Sequence, residues 1–204
     1  MPSRTRLQPE QRRAQLIDVA ARLFARGSYE HVSLEEIAVA ASCSRQLVYH
    51  YFPAKRELLL ALVAATSQGL IAATEPPVGL APLDQLSVVL DAALEFVTSY
   101  GDHYRVMQRA ALSGDSEISA VVEATFDTQT ARMLASVPIE ARTPAVALAA
   151  RAWLSFLRAV SLDWIDGGRL IPPETVRSIC TATLLGAVAA AGVSADVLQS
   201  AVSG

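Results

Sequence analysis

An all-helical chain is the expectation, and three observations carry it. Hydrophobic residues make up 52% of the 204 and aromatics 6%, so the core is built mainly from Ala, Leu and Val, which favours helices over strands. Apolar residues recur three and four apart along most of the chain, the spacing of one helix face. Gly- and Pro-rich breaks then cut the chain into nine segments of helical length, and none reads convincingly as a strand.

The first helix is predicted over about Pro9 to Arg26, with Leu16, Ile17, Ala20, Leu23 and Phe24 on one face and Gly27 as terminator. A second is predicted over about 33 to 41. Ser33 caps it and Glu36, three residues on, reaches back, which makes a capping box. Ser44 caps a third, about 44 to 51, whose large apolar residues are Leu47, Val48 and Phe52. Pro53 stops that helix or opens the fourth, which continues to about Ala73. Glu75 to Pro82 is a loop by composition. Further helices are predicted over about Leu83 to Tyr100, His103 to Leu112, Glu117 to Ser136 with Ser116 as cap, Pro144 to Trp164 and Pro173 to Ala191. A weak tenth segment follows Gly192.

Helices two and three form a helix-turn-helix. Ile37 and Ala41 sit at core-facing spacing, and small Ala38 and Ala40 leave room for a crossing helix. Arg45, Gln46, Tyr49 and His50 project from the second helix of the pair, an outer face of hydrogen-bonding groups that suits the major groove of DNA. Side chains near the start of such a helix sit deepest, so Arg45 and Gln46 are the candidates for base edges. Arg matches the two acceptors of guanine and Gln the edge of adenine. Tyr49 and His50, one turn later, are placed for phosphates. Lys55 adds its charge to the positive end of the fourth helix, a natural phosphate site, and Ser33 holds the same position on the second. Arg4 and Arg6 look like a basic arm.

This stretch resembles the DNA-binding domain of the TetR family of bacterial repressors. The likeness rests on the Ile-Ala-x-x-Ala run, the Ser-Arg after the turn, and Tyr49-His50-Tyr51-Phe52-Pro53 followed by Lys55 and Leu58, and it covers roughly residues 10 to 60. It implies that Tyr49 and Lys55 hold phosphates and that Ser44, Arg45 and Gln46 provide much of the sequence reading. Two residues depart from the family's pattern. Ser42 stands where Gly is usual, so it must tolerate a left-handed backbone or bend differently. Leu47 stands where a small or hydroxylated residue is common, and it either faces the core or meets a thymine methyl.

Charge splits along the chain in the same sense. Residues 1–56 hold nine Lys and Arg against five acids, a net +4, and the remainder holds eight Arg against fifteen acids, a net −7. A basic reading head, residues 1–56, on an acidic body, residues 57–204, fits phosphate attraction confined to one end. Cys43 and Cys180, 137 positions apart, imply a reducing compartment with no disulfide framework. The opening residues do not read as a signal peptide, and the apolar runs Leu58 to Thr74 and Ser178 to Ala195 are too interrupted or too small-residue-rich to read as membrane spans. A cytoplasmic protein without membrane attachment is expected. His31, His50 and His103 stand alone and neither cysteine has a partner at ligand spacing, so no metal or cofactor is expected. No nucleophile elbow, phosphate loop or paired carboxylates suggest an enzyme.

For the body, the resemblance implies a homodimer with a four-helix interface from the last two long helices, and a site for a small-molecule inducer. Ala182, Gly186 and Ala190, four apart, form a small-residue stripe that lets another helix approach, either from a second subunit or from the same chain. Phe96, Tyr100, Tyr104, Met107, Phe126, Trp153 and Phe156 are the aromatic and Met candidates for an apolar ligand site, or they are ordinary core. The expectation is a repressor that leaves a palindromic, double-stranded operator when a small, largely apolar ligand fills the body. The alternatives are control by a protein partner or by oxidation at Cys43, or a helical enzyme with a vestigial reader.

Overall fold

The structure, a computed structural model, describes residues 7–194 and residue 197. Arg4 and Arg6 lie outside the described residues, as does most of the segment expected after Gly192. Among the described residues there are nine α-helices and no strand: α1 Pro9–Arg26, α2 Leu34–Ala40, α3 Arg45–Tyr51, α4 Lys55–Ala73, α5 Pro82–Ser99, α6 Gly101–Ala110, α7 Ser116–Ala135, α8 Pro144–Asp166 and α9 Pro173–Ala190. A single 3-10 turn, Ile139–Ala141, lies in the stretch expected to be a loop.

Three helix starts differ from expectation, each for a local reason. Phe52 is extended (φ −139°, ψ 92°), as a residue before proline must be, so α4 opens at Lys55 on the carbonyl of Ala54 rather than at Pro53. Gly101-Asp102 opens α6 instead of separating it from α5, because the chain turns one residue earlier at Tyr100 (φ −119°, ψ 35°). The cap of α7 is Asp115, not Ser116: its Oδ1 accepts from the amides of Glu117 at 3.1 Å and Ile118 at 3.3 Å.

The described residues divide into two compact units, and the divisions fall within α4, after the first residue of α6 and within α7. The first runs to Ser67 and includes Asp102–Val122. Its core is Leu16, Ile37, Val48, Leu58, Leu62, Met107 and Ile118, all essentially inaccessible to solvent. Here Arg56 reaches from the first turn of α4 to the start of α7, placing Nε 2.6 Å from Asp115 Oδ2 and Nη2 2.9 Å from both Asp115 Oδ1 and Glu117. The guanidinium beside Asp115 is the main reason its carboxyl lies below the usual range, helped by the amides it caps. The second unit comprises Gln68–Gly101 and residues from Glu123 onward. In it α8 packs on α9 and both pack on α5, with Leu90, Leu94, Val97, Val146, Trp153, Val176, Cys180 and Leu184 buried.

Ser42 takes the left-handed conformation (φ 52°). Its own N–H bonds Val39 O at 3.0 Å and the next amide, Cys43, bonds Ala38 O at 3.0 Å, the pair of reversed bonds that ends a helix at a left-handed residue. Ser42→Gly should therefore raise stability by about 1 kcal/mol, or about 2–4 °C in Tm by calorimetry, and Ser42→Val should lower it. The second expectation concerns acid. A carboxyl held below its unfolded pKa stabilises the fold above about pH 4, and that contribution disappears as pH falls through the lower folded value. Replacing Arg56 with Met should make the acid-unfolding midpoint, followed by circular dichroism, move to higher pH.

Candidate nucleic-acid interface

The short helix α3 has two faces of divergent chemistry. Of the seven residues of α3, Val48 is fully buried and Leu47 and Tyr51 are half-buried, while Arg45, Gln46, Tyr49 and His50 are exposed. Leu47 thus leans partly toward the core. Ser44 caps the helix by accepting from the Leu47 amide at 3.2 Å, and Phe52 closes its far end, buried beneath the guanidinium of Arg13 at 5.3 Å. The cap, Val48 and Phe52 hold the polar face outward.

On that face Arg45 is not isolated. Its Nε lies 2.6 Å from Oε1 of Glu35 on α2, its Nη2 donates to the Tyr49 hydroxyl at 3.5 Å, and its guanidinium lies 5.2 Å from the Tyr49 ring centroid. Tyr49 in turn donates to the same oxygen of Glu35 at 3.3 Å. Gln46 keeps its amide free of protein partners among the described residues, and His50 makes an edge contact with Tyr51. Glu35 was not among the residues singled out from sequence, since an acid facing a polyanion reads as a solvated charge.

The two phosphate sites expected at helix starts, Ser33 and Lys55, are both engaged with the protein itself. Ser33 completes the box on α2: its hydroxyl donates to Glu36 at 2.9 Å, its amide to the same carboxylate at 2.7 Å, and its oxygen accepts from the Glu36 amide at 3.2 Å. Those bonds, the backbone one foremost, hold the Glu36 carboxyl below its usual range. Lys55 Nζ donates to the carbonyls of Tyr29 at 2.8 Å and Glu30 at 3.0 Å, and sits 4.5 Å from the Tyr29 ring centroid. An ammonium has three donors, so one remains. Lys55 therefore clamps the loop between α1 and α2 onto the start of α4, a role with no signature in a sequence where Tyr29 and Lys55 lie 26 positions apart.

The residues expected around a ligand do not gather in one unit. Tyr104 and Met107 are buried in the first, where the Met107 sulfur accepts from the Ser67 hydroxyl at 3.4 Å. Phe96, Tyr100, Phe126, Trp153 and Phe156 belong to the second. Phe96 is buried against Gly69 and stacked on half-exposed Tyr100, with ring centroids 5.0 Å apart. Phe126 lies under the guanidinium of Arg158 at 5.7 Å, Phe156 is half-buried, and buried Trp153 donates its indole N–H to the Cys180 carbonyl at 2.8 Å. Ala182, Gly186 and Ala190 are all exposed on α9, and a side chain at Gly186 would meet open space. Burial pushes the thiols of both Cys43 and Cys180 above their usual pKa, which disfavours the reactive thiolate. Among the described residues no group of three potential metal ligands occurs.

Residues 16–62 match the family described as bacterial regulatory proteins, tetR family, and residues 82–186 match the tetracyclin repressor-like C-terminal domain. The HTH-type transcriptional repressor KstR of Rhodococcus jostii (strain RHA1) is 25% identical over 154 residues, 74% of this chain and 73% of that protein. The HTH-type transcriptional regulator TcmR of Streptomyces glaucescens is 35% identical over 83 residues, 40% of this chain and 37% of its own. A crystal structure of a tetR-family transcriptional regulator from Streptomyces coelicolor superposes with a TM-score of 0.74 at 32% identity, covering 91% of this chain and 85% of that one. With the N-terminal and C-terminal family regions both matched, and a solved family member similar over 91% of this chain, this chain belongs to the TetR family of bacterial transcriptional regulators.

Proposed function

We propose that this regulator is a homodimeric repressor that holds a palindromic operator and releases it when a small, largely apolar ligand occupies the body. The observation that carries the DNA-reading part is the outer face of α3, where Arg45, Gln46, Tyr49 and His50 stand exposed on a helix fixed from beneath by Val48 and Phe52. Arg45, Gln46 and the capping Ser44 read base edges, while Tyr49, His50, Ser33 and the remaining donor of Lys55 meet phosphates. Residues 1–56 serve as the reading head and 57–204 as the body. The similarity to a protein described as a repressor supports repression over activation.

Support for the dimer comes from what a single chain leaves uncovered. Leu148 is 71% exposed on α8 and Ile179 is 44% exposed on α9, beside the stripe Ala182, Gly186 and Ala190. By length and composition, α4 and α8 are each apolar enough to cross a membrane, with mean hydropathies of 1.3 and 1.4. In a family of DNA-binding regulators, the same apolar surface on α8 is better covered by a second copy, whose small residues permit close helix approach. Two reading heads on two half-sites supply the affinity that one short helix lacks. A ligand that binds better to a dimer with its heads off half-site spacing then lowers operator affinity through that difference alone.

Selection from random duplex DNA at moderate salt should recover a palindrome. Arg45→Ala should relax preference at particular base pairs, and equal losses on operator and random DNA would remove Arg45 from base reading. Gly186→Glu puts a charge where the isolated chain has space, so it should leave helix content intact while sedimentation shifts from dimer to monomer.

A further inference from the structure

Three acids lie between Tyr29 and Ile37, and two of them are satisfied by their own neighbours. Glu30 takes the hydroxyl of Ser28, and Glu36 closes the capping box with Ser33. Glu35 alone crosses to the reading helix, where its Oε1 lies 2.6 Å from Arg45 Nε and 3.3 Å from the Tyr49 hydroxyl. A carboxylate on the surface that meets phosphates repels DNA, and an ion pair this exposed (side chains 66% and 42% accessible) adds little to stability. Its position therefore calls for a different account.

The geometry of the guanidinium supplies one. Arg offers two edges for paired hydrogen bonds, one through Nε and Nη2 and the other through Nη1 and Nη2. Glu35 forms a short ion pair on the Nε side, and the Tyr49 ring and hydroxyl restrain the plane from the adjacent turn of the same helix. Nη1 takes no protein acceptor among the described residues, and Nη2 has only the 3.5 Å contact to Tyr49.

We propose that Glu35 is a specificity-determining residue of the reader: by holding an ion pair on the Nε side of Arg45 it leaves the Nη1–Nη2 edge outward, where it fits the O6 and N7 acceptors of guanine. The pair also cancels charge at the one reading cation, so phosphate oxygens, which reward charge wherever they lie, gain less from it than a guanine edge does. Glu35 and Arg45 act as one unit, with the acid setting the direction and the base making the contact. The inference rests on the proposed reading of α3 as the groove-entering helix.

The test measures dissociation constants of the wild type, Glu35→Gln and Arg45→Ala for the selected operator, for operators substituted at each position, and for random duplex DNA. Arg45→Ala identifies the position that Arg45 reads. Glu35→Gln should bind random DNA more tightly and lose roughly tenfold in discrimination at that same position, with circular dichroism unchanged. Wild-type discrimination in Glu35→Gln would overturn the proposal, as would a uniform tightening on all DNA that leaves the ratio intact. A wild type with no sequence preference would overturn the reading of α3 and this inference together.

Discussion

A seven-residue helix cannot stand by itself. Two turns of backbone hydrogen bonds do not offset the entropy of fixing them, and isolated helices well beyond this length are marginal in water. The helix α3 is that short, and four of its seven side chains are exposed. Its order therefore comes from outside. Val48 is fully buried, Ser44 caps the amide of Leu47, and Phe52 is closed over by Arg13. The left-handed Ser42 sets the path by which α3 leaves α2, and the Lys55 clamp steadies the loop on the other side. Each device replaces stability that the helix cannot supply.

The same economy governs charge. The net +4 of the first 56 residues suggests a generously cationic head, yet several of its cations are committed. Arg13 lies over Phe52, Lys55 holds two carbonyls, Arg45 holds Glu35, and Arg56 holds Asp115 and Glu117. Arg22 and Arg26 remain exposed on α1. Among the described cations of the head, Arg45 and Arg56 face carboxylates, whereas Arg13 and Lys55 are held by a ring and by carbonyls and keep their full charge.

How much could be read from the residues depended on how local the cause was. The bounds of α1 follow from Pro9 and Gly27, and the starts of α2 and α3 from Ser33 and Ser44, because caps act within four residues. The left-handed Ser42 was foreseeable because the family pattern places Gly there. The start of α4 and the cap of α7 were displaced by neighbours: Phe52 must extend before Pro53, and Asp115 is drawn into place by Arg56, 59 positions earlier. Glu35 lies beyond that reach, since its meeting with Arg45 depends on the turn between them. The aromatic residues of the body were legible only as apolar. Composition does not reveal that Tyr104 and Met107 fall in one unit and Trp153 in the other, nor that the indole of Trp153 is committed to a carbonyl.

The two tryptophans have a consequence for anyone watching this protein by light. Both lie in the second unit, both are buried, and both indole N–H groups are bonded to carbonyls, Trp153 to Cys180 and Trp164 to Ile171. Intrinsic indole emission is thus confined to the body, in dry and polar-bonded surroundings, while the reading head carries no such fluorophore. A red shift on heating reports the opening of α8 and α9, and a reading head that had already melted would leave that emission unchanged.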